Sequence, residues 1–573
     1  MNIPRPEHPN PQFERESFEN LNGIWEFEID KSASGIDRKL YEADRFSHEI
    51  TVPFCPESKL SGIGEIDFLN SVWYKRTINI KDTSDRIILH IGACDYFTTL
   101  YINGKKVGTH QGGYTSFSFD ISDFITPGEN TVVIHALDDT KDVTHPSGKQ
   151  AFDSYYSYSC FYTRITGIWQ TVWLEYVPQT HINSVKYYPD AANGKVHIKA
   201  VVTGNDRFTA TAFYNGKVVG KASAFNCGNN ADLTIDLSEI HLWELGKGRL
   251  YDLELTYGDD KVKSYFGLRS VCLDGYKFLL NGKTVFQRIV LDQGYYPDGL
   301  YTAPSDQALI NDIKISLDAG FNGARLHEKV FEPRFLYHCD KMGYMVWGEY
   351  ANWGFDHSRG DVVATYLREW EEAIERDFNH PAIIGWCPFN ETWDFNGRKQ
   401  NDELLEMIYK TTKLMDTTRP CIDSSGNFHV ATDIFDFHDY IQDVDTFAGQ
   451  MKKLEEEDIL IESTVRNPLY PGRQKYTGGP VFCSEYGGIK WDVECDIESW
   501  GYGNAPKTKE EFISRYKGLT EALLSNSKML GFCYTQLYDI EQEKNGLYTY
   551  DRKPKFDMNI FKEINSQKAK IEE

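Results

Sequence analysis

Residues 367–391 read LREWEEAIERDFNHPAIIGWCPFNE. Leu367, Trp370, Ile374 and Phe378 recur at helical spacing and mark an amphipathic helix. The apolar run from Ala382 to Cys387 follows as a short buried strand, and the polar pair Asn390-Glu391 stands directly after it. The same alternation extends in both directions. Upstream, Ser305 opens a helix carrying Ile310, Ile313 and Leu317 and stopped at Gly320, followed by a strand-like run with Asn322, Ala324 and Leu326. Downstream, Leu404, Leu405, Ile408 and Met415 mark a third helix. Phe512, Tyr516, Leu519 and Leu523 mark a fourth, with the strand Gly531 to Thr535 behind it. Helices alternating with buried strands over about 300 residues predict parallel βα units and a (β/α)8 TIM barrel, with its active site at the C-terminal strand ends. A doubly wound sheet is the alternative. It normally opens on a Gly-rich phosphate turn, and neither GxGxxG nor GxxxxGK[ST] follows a strand in this stretch.

Before residue 271 the period is two. Arg86 to Ile91, Thr98 to Ile102 ahead of Asn103-Gly104, and Thr131 to Ala136 after Pro127-Gly128 read as antiparallel strands and hairpins. This pattern predicts a β-sandwich over residues 1–178. His197 to Val202, Thr209 to Tyr214, Asp232 to Leu237 and Arg249 to Tyr257 continue it, and residues 179–270 fit a smaller immunoglobulin-like sandwich. The barrel then takes residues 271–573, which makes a multidomain chain of three parts, as 573 residues suggest.

The formal charge of -24 argues against nucleic acid or an anionic membrane surface as partner. The 11 cysteines are scattered without a CxxC pair, so neither a disulfide framework nor a structural zinc site is expected, and no metal or cofactor is assigned. Met1 to Phe13 lacks the apolar core of a signal peptide, and no run of about 18 apolar residues occurs. The expectation is a cytoplasmic protein; assembly into a homo-oligomer is compatible with the sequence.

Any one of 85 acidic residues is by default a solvated surface charge, and two glutamates escape that default by context. Glu391 follows a barrel strand, where burial can raise a carboxyl pKa for general acid work, and its neighbour Asn390 suits a hydrogen bond to a sugar hydroxyl. The competing reading is an N-cap network for the next helix. Glu485 ends the apolar run Val481-Phe482-Cys483-Ser484 and precedes Tyr486-Gly487-Gly488; a tyrosine hydroxyl beside it would hold it ionised as a nucleophile. Here the competing reading is a buried ion pair with a barrel arginine.

The stretch FNHPAIIGWCPFNE (378–391) resembles the acid/base motif of glycoside hydrolase family 2, and Ser484-Glu485-Tyr486-Gly487 resembles its nucleophile motif. Leu21-Asn22-Gly23-Ile24-Trp25, Val52-Pro53, Trp73-Tyr74 and Thr166-Gly167-Ile168-Trp169-Gln170 are similar to the family's sugar-binding jelly roll. Phe321-Asn322-Gly323-Ala324-Arg325-Leu326-His327 is similar to its N-x-x-R barrel segment. The resemblance covers the whole chain in the family's domain order. It implies a carbohydrate substrate and a retaining double displacement, with Glu485 as nucleophile, Glu391 as acid/base, and the two carboxyls about 5 Å apart. Candidate sugar contacts at other strand ends are Asp292, Arg325, His327, Asn390, His438, Tyr440, Tyr486, Gln536 and Asp539.

On substrate, the β-glucuronidase group carries an Asn-x-Lys whose lysine binds the uronate; by register Glu543 and Asn545 stand there instead. Glu349 lacks the Glu-x-His pattern of the magnesium site in large β-galactosidases. The expected activity is therefore exo-hydrolysis of terminal β-D-galactosides. The alternatives are α-L-arabinofuranosidase, β-glucuronidase or β-mannosidase activity, or a non-catalytic carbohydrate-binding protein.

Overall fold

The structure is a computed structural model and describes residues 3–394, 397–460, 473–474, 476–493 and 499–573. Its first part is a sandwich of two antiparallel sheets. The larger runs His48–Val52, Gly23–Ile29, Ser71–Ile80, Gly128–Leu137, Phe97–Ile102, Lys105–Gln111; the smaller runs Phe18–Asn20, Val172–Val177, Arg86–Ile91, Phe117–Asp120. Trp25, Phe27, Ile50, Leu89, Ile134 and Leu174 fill the space between them. A second sandwich pairs a three-stranded sheet (His181–Asp190, Lys195–Thr203, Asn230–Asp236) with a four-stranded one (Lys217–Asn226, Asp206–Tyr214, Tyr251–Tyr257, Asp260–Phe266). Burial alternates residue by residue along Lys195–Thr203 and Asn230–Asp236, which is why period two was visible in the text.

The remainder is a curled parallel sheet with helices outside it. We label its strands β1 (Gln287–Asp292), β2 (Gly323–Leu326), β3 (Met345–Glu349), β4 (Ile383–Cys387), β5 (Phe435–Asp439), β6 (Val481–Gly487) and β7 (Met529–Thr535). The order across the sheet is β4-β3-β2-β1-β7-β6-β5. The gap between the edges β4 and β5 is spanned by residues 421–425. Trp386 pairs in parallel with Cys421, and Phe389–Asn390 with Ser424–Ser425. On the other side the Asp433 N–H donates to the Cys421 carbonyl oxygen at 3.0 Å. Every residue of β6 and β7 is buried, as expected of strands covered on both faces.

The outer helices include α1 (Asp306–Asp318), α2 (Pro333–Met342), α3 (Val363–Asp377), α4 (Asp402–Met415), α5 (Val444–Glu457), α6 (Lys509–Leu524) and α7 (Met558–Asn565). Ser305 caps α1 by accepting from the Ala308 N–H, as its position predicts. The buried stripe of α1 is Leu309, Ile313 and Ser316, one step round from the predicted Ile310 and Leu317, which are half-buried.

Both sandwiches are bolted to the barrel by buried polar contacts. Tyr114 N donates to Glu369 on α3 at 2.5 Å, and Arg269 donates to the carbonyl oxygens of Pro381 and Ile383 at 2.8 and 2.7 Å. These contacts bring residues 138–166, which link two strands of the first sandwich, over the C-terminal ends of the barrel strands.

Candidate active site

Glu391 and Glu485 face each other across the top of the sheet. Glu485 is the fifth residue of β6. Glu391 follows Phe389–Asn390, and its N–H donates to the Ser425 carbonyl oxygen at 2.9 Å. Its φ of 46° lies in the left-handed region, a strain on the order of 1–3 kcal/mol that tends to occur where geometry serves function. One oxygen of each carboxylate and Nδ1 of His438 all lie within 4.8 Å of one another.

Arg325, at the third position of β2 and 2% exposed, organises the floor. Its Nη1 donates to Glu485 Oε1 at 2.9 Å and to the Ser484 carbonyl oxygen at 3.0 Å; Nη2 donates to Asn390 Oδ1 at 2.7 Å; Nε donates to Glu349. A fully engaged guanidinium of this kind orients its carboxylates rigidly. Asn390 Nδ2 is buried and has no hydrogen-bond partner among the described residues. Asn352 Oδ1 fixes the Asn390 backbone by accepting from its N–H at 2.6 Å. His327 Nδ1 lies 3.1 Å from Glu349 Oε2. Burial pushes the imidazole well below its ordinary pKa, with Lys149 and Arg325 adding to the effect, so it is neutral. Tyr440 donates its hydroxyl to Glu485 Oε2, and its ring stacks on Tyr502 at 3.4 Å.

Three expected sugar contacts point elsewhere. Tyr486 is turned away from the glutamates. Its hydroxyl pairs with Thr520 Oγ1 of α6 at 2.8 Å and its ring packs on Phe532 and Tyr534. Successive strand residues face opposite sides, so a neighbour of inward-facing Glu485 must face the helices; Tyr440, directly after the adjacent strand β5, supplies the hydroxyl. Asp292 accepts from Tyr538 at 2.5 Å and from the Gly294 N–H at 3.0 Å, and burial lifts it to about 6. Asp539 accepts from Lys555 Nζ at 2.5 Å and from the Gly546 N–H at 3.0 Å, pinning the loop that carries residues 541–545. Gln536 lies in a network rather than open to solvent. It accepts from Gln293 at 2.7 Å and donates to Asn545 Oδ1 at 2.9 Å; Asn545 donates to Glu543 Oε1 at 2.8 Å, and Tyr162 donates to Glu543 Oε2. Burial raises Glu543 to about 7.

Two members of the wall come from the first sandwich and were not anticipated. Tyr162 closes the Glu543 network, and Lys149 places its ammonium 3.4 Å from the centre of the Trp353 ring. Its electrostatic neighbours include Glu391, Glu328 and Glu543, and it makes no hydrogen bond or ion pair among the described residues. Gly148 permits this approach: a Cβ there would sit 2.8 Å from the Glu328 carbonyl oxygen. Glu349, the last residue of β3, and Trp353 beyond it are likewise not among the expected sugar contacts. The available signal was the long aromatic-rich interruption of the strand pattern at residues 138–166.

Among the described residues, the donor set compact enough for a cation is this same Glu391, His438 and Glu485 group. No helix among them is long and apolar enough to cross a membrane. The family model described as "Glycosyl hydrolases family 2, TIM barrel domain" matches residues 272–569, and that of the family's sugar binding domain matches residues 63–178. A β-glucuronidase of Rattus norvegicus is 26% identical over 444 residues, spanning 70% of this chain and 67% of the relative. A β-galactosidase of Thermoanaerobacterium thermosulfurigenes is 24% identical over 395 residues, spanning 65% and 53%. Of a relative from Formosa agariphila, half the length is matched. The solved structure of Ruminococcus gnavus β-glucuronidase superposes with a TM-score of 0.80 at 18% identity, covering 99% of both chains.

Proposed function

The chain belongs to glycosyl hydrolase family 2, and from that premise we propose that it is a retaining exo-glycosidase acting on terminal β-glycosides. The observation that carries this reading is the asymmetric pair of glutamates, with carboxylate oxygens within 4.8 Å. That separation suits attack by one carboxylate directly on the sugar, since an inverting pair needs room for a water. Glu485 receives hydrogen bonds from Arg325 and Tyr440, which keep it ionised and aimed. It attacks the anomeric carbon as Glu391 protonates the leaving oxygen. Glu391 then takes a proton from the water that releases the sugar. The unpartnered Nδ2 of Asn390 suits a sugar hydroxyl beside the anomeric centre.

For the sugar we propose a neutral, galactoside-type ring. Both oxygens of Glu543 are already hydrogen-bonded and Asn545 is uncharged, so neither residue supplies a cation in the corner where a lysine would receive a uronate. A β-glucuronide is the second reading. It is supported by the relative from rat and by the Lys149 ammonium, which has no ion-pair partner among the described residues, on the sandwich side of the pocket.

Hydrolysis of a panel of p-nitrophenyl glycosides (β-galactoside, β-glucuronide, β-mannoside, α-L-arabinofuranoside) distinguishes these. Fast cleavage of the galactoside is expected; exclusive cleavage of the glucuronide would transfer the assignment to the second reading. Glu485→Gln is expected to abolish turnover of whichever member is cleaved. Unchanged turnover in that variant would sink the assignment of Glu485 as nucleophile, whereas no turnover of any member by the wild type would leave a carbohydrate-binding role.

A further inference from the structure

His438 bridges the two proposed catalytic carboxyls. Its Nδ1 lies 2.7 Å from Glu391 Oε1 and 3.5 Å from Glu485 Oε2. The ring has no slack, because a Cβ on Gly426 would fall 2.3 Å from its Cγ.

What the other ring nitrogen carries follows from its partners. Nε2 lies 3.0 Å from Ser425 Oγ. That hydroxyl has one proton, which it donates to Asp436 Oδ2 at 2.5 Å. Asp436 is held as an anion by His429, whose Nε2 is 3.1 Å away and whose Nδ1 is 2.7 Å from Asp423. Ser425 therefore offers His438 a lone pair, and Nε2 must carry the hydrogen. Arg325 Nη1 also approaches Nε2, at 3.3 Å, but its two hydrogens are already directed at Ser484 and Glu485. With Nε2–H fixed, Nδ1 of a neutral ring is an acceptor, and a contact of 2.7 Å with a carboxylate oxygen requires one proton between them.

We propose that Glu391 and His438 form a proton-sharing dyad in which His438 is the positioning residue that stores the catalytic proton. This rests on the retaining reading above. In the first step the shared proton passes from Glu391 to the leaving oxygen as the C1–O bond breaks and Glu485 bonds to C1, leaving a Glu391 carboxylate and neutral His438. In the second, the attacking water's proton returns to the dyad as the C1–Glu485 bond breaks.

The titratable and charged groups facing the dyad are Arg325 from β2 and neutral His327 just after it, Glu349 from β3, Glu485 from β6, Asp436 on its own strand, Tyr440 just after that strand, Tyr502, and Lys149 and Cys160 from the sandwich. Burial alone would push His438 down, but Glu485 and the bond to Glu391 outweigh it and leave the ring above the ordinary imidazole value. Burial would push Glu391 up, but His438 and then Lys149 bring it below the ordinary carboxyl value. A lone acid with that pKa would be empty at neutral pH; a dyad still holds one proton.

The test is His438→Asn, assayed as kcat/KM against pH on the aryl glycoside that the wild type cleaves, and on its 2,4-dinitrophenyl counterpart, whose departure needs no proton. Expected are a basic limb moved to lower pH by a unit or more, a loss of roughly 10- to 100-fold with the p-nitrophenyl substrate, and a loss under threefold with the dinitrophenyl one. An unmoved basic limb with equal losses on both substrates overturns the dyad while leaving the roles of Glu391 and Glu485 intact. Independently of folding in the variant, nitrogen chemical shifts of labelled histidine in the wild type should report Nε2 protonated and Nδ1 sharing a proton at neutral pH. A neutral Nδ1–H tautomer overturns the proposal. Absence of turnover by the wild type on every glycoside would instead defeat the underlying reading.

Discussion

Replacing Tyr440 by Phe removes one oxygen and leaves the ring stacked on Tyr502, so its effect can be assigned to the hydrogen bond on Glu485. In the double displacement proposed above, Glu485 is neutralised when it bonds to the sugar and regains its charge when it leaves. A donor aimed at that oxygen therefore stabilises the carboxylate in the resting enzyme and again as a leaving group. A hydrogen bond to a charged partner is worth about 1.5–3 kcal/mol. At about 1.4 kcal/mol per tenfold, its loss slows release of the glycosyl-enzyme by roughly 10- to 150-fold. Formation of that intermediate is spared, because an unsolvated carboxylate is the stronger nucleophile, and Arg325 still holds Oε1 at 2.9 Å. Stopped-flow mixing with the 2,4-dinitrophenyl form of the cleaved glycoside should therefore show a stoichiometric burst in Tyr440→Phe, followed by a steady rate reduced by one to two orders of magnitude. A variant without a burst, in which both phases fall together, would refute this role and make Tyr440 a general support of the pocket.

Other perturbations follow from the same contacts. Glu543→Asn combined with Asn545→Lys should raise kcat/KM for the β-glucuronide relative to the β-galactoside by at least tenfold, an estimate from about 1.4 kcal/mol of new ion pairing; an unchanged ratio would mean that this corner does not touch the sugar. Asp95, buried in the first sandwich and hydrogen-bonded from Gln150 at 2.9 Å, is raised by burial to about 8. Because its folded pKa exceeds the unfolded value near 3.8, it contributes stability below about pH 4 that is lost as pH rises to about 8, on the order of a few kcal/mol. Asp95→Asn should flatten the fall in melting temperature between pH 5 and pH 8, as read by scanning calorimetry. Arg15 grips Asp260 with two nitrogens at 2.8 and 2.9 Å and Glu175 with a third at 2.9 Å, tying the two sandwiches together. Arg15→Met removes the cation shared by two buried carboxylates, leaving Asp260 the Ile182 N–H and Glu175 its neighbours His90 and His8, and should destabilise by about 3–5 kcal/mol in denaturant unfolding, without changing kcat of the remaining folded enzyme.

What could be read in the text was local and periodic. Strands such as Lys195–Thr203, buried on alternate residues, and β6, buried throughout, each announce their setting by spacing alone. Glu391 and Glu485 stood out because a charge ending an apolar run is expensive unless used. Tyr486 misled because adjacency in sequence was taken for adjacency in space, whereas the pleat separates neighbours and joins Glu485 to Tyr440 across strands. The short segment 421–425, which completes the ring of strands, was unreadable because only a few of its residues pair. Lys149 and Tyr162 were beyond reach for another reason: nothing in residues 138–166 encodes which barrel loops they will meet.

That borrowed wall has a consequence for how the protein becomes active during synthesis. The sandwich can fold once its last strand, Val172–Val177, has left the ribosome, while β7 emerges only after residue 535. At about 5–20 residues per second the interval is roughly 20–70 s. For that time Lys149 and Tyr162 are presented to water on a finished module with no partner. Completing the site therefore requires the barrel to fold and meet a sandwich that is already formed, and the appearance of turnover in a translation reaction would time that meeting.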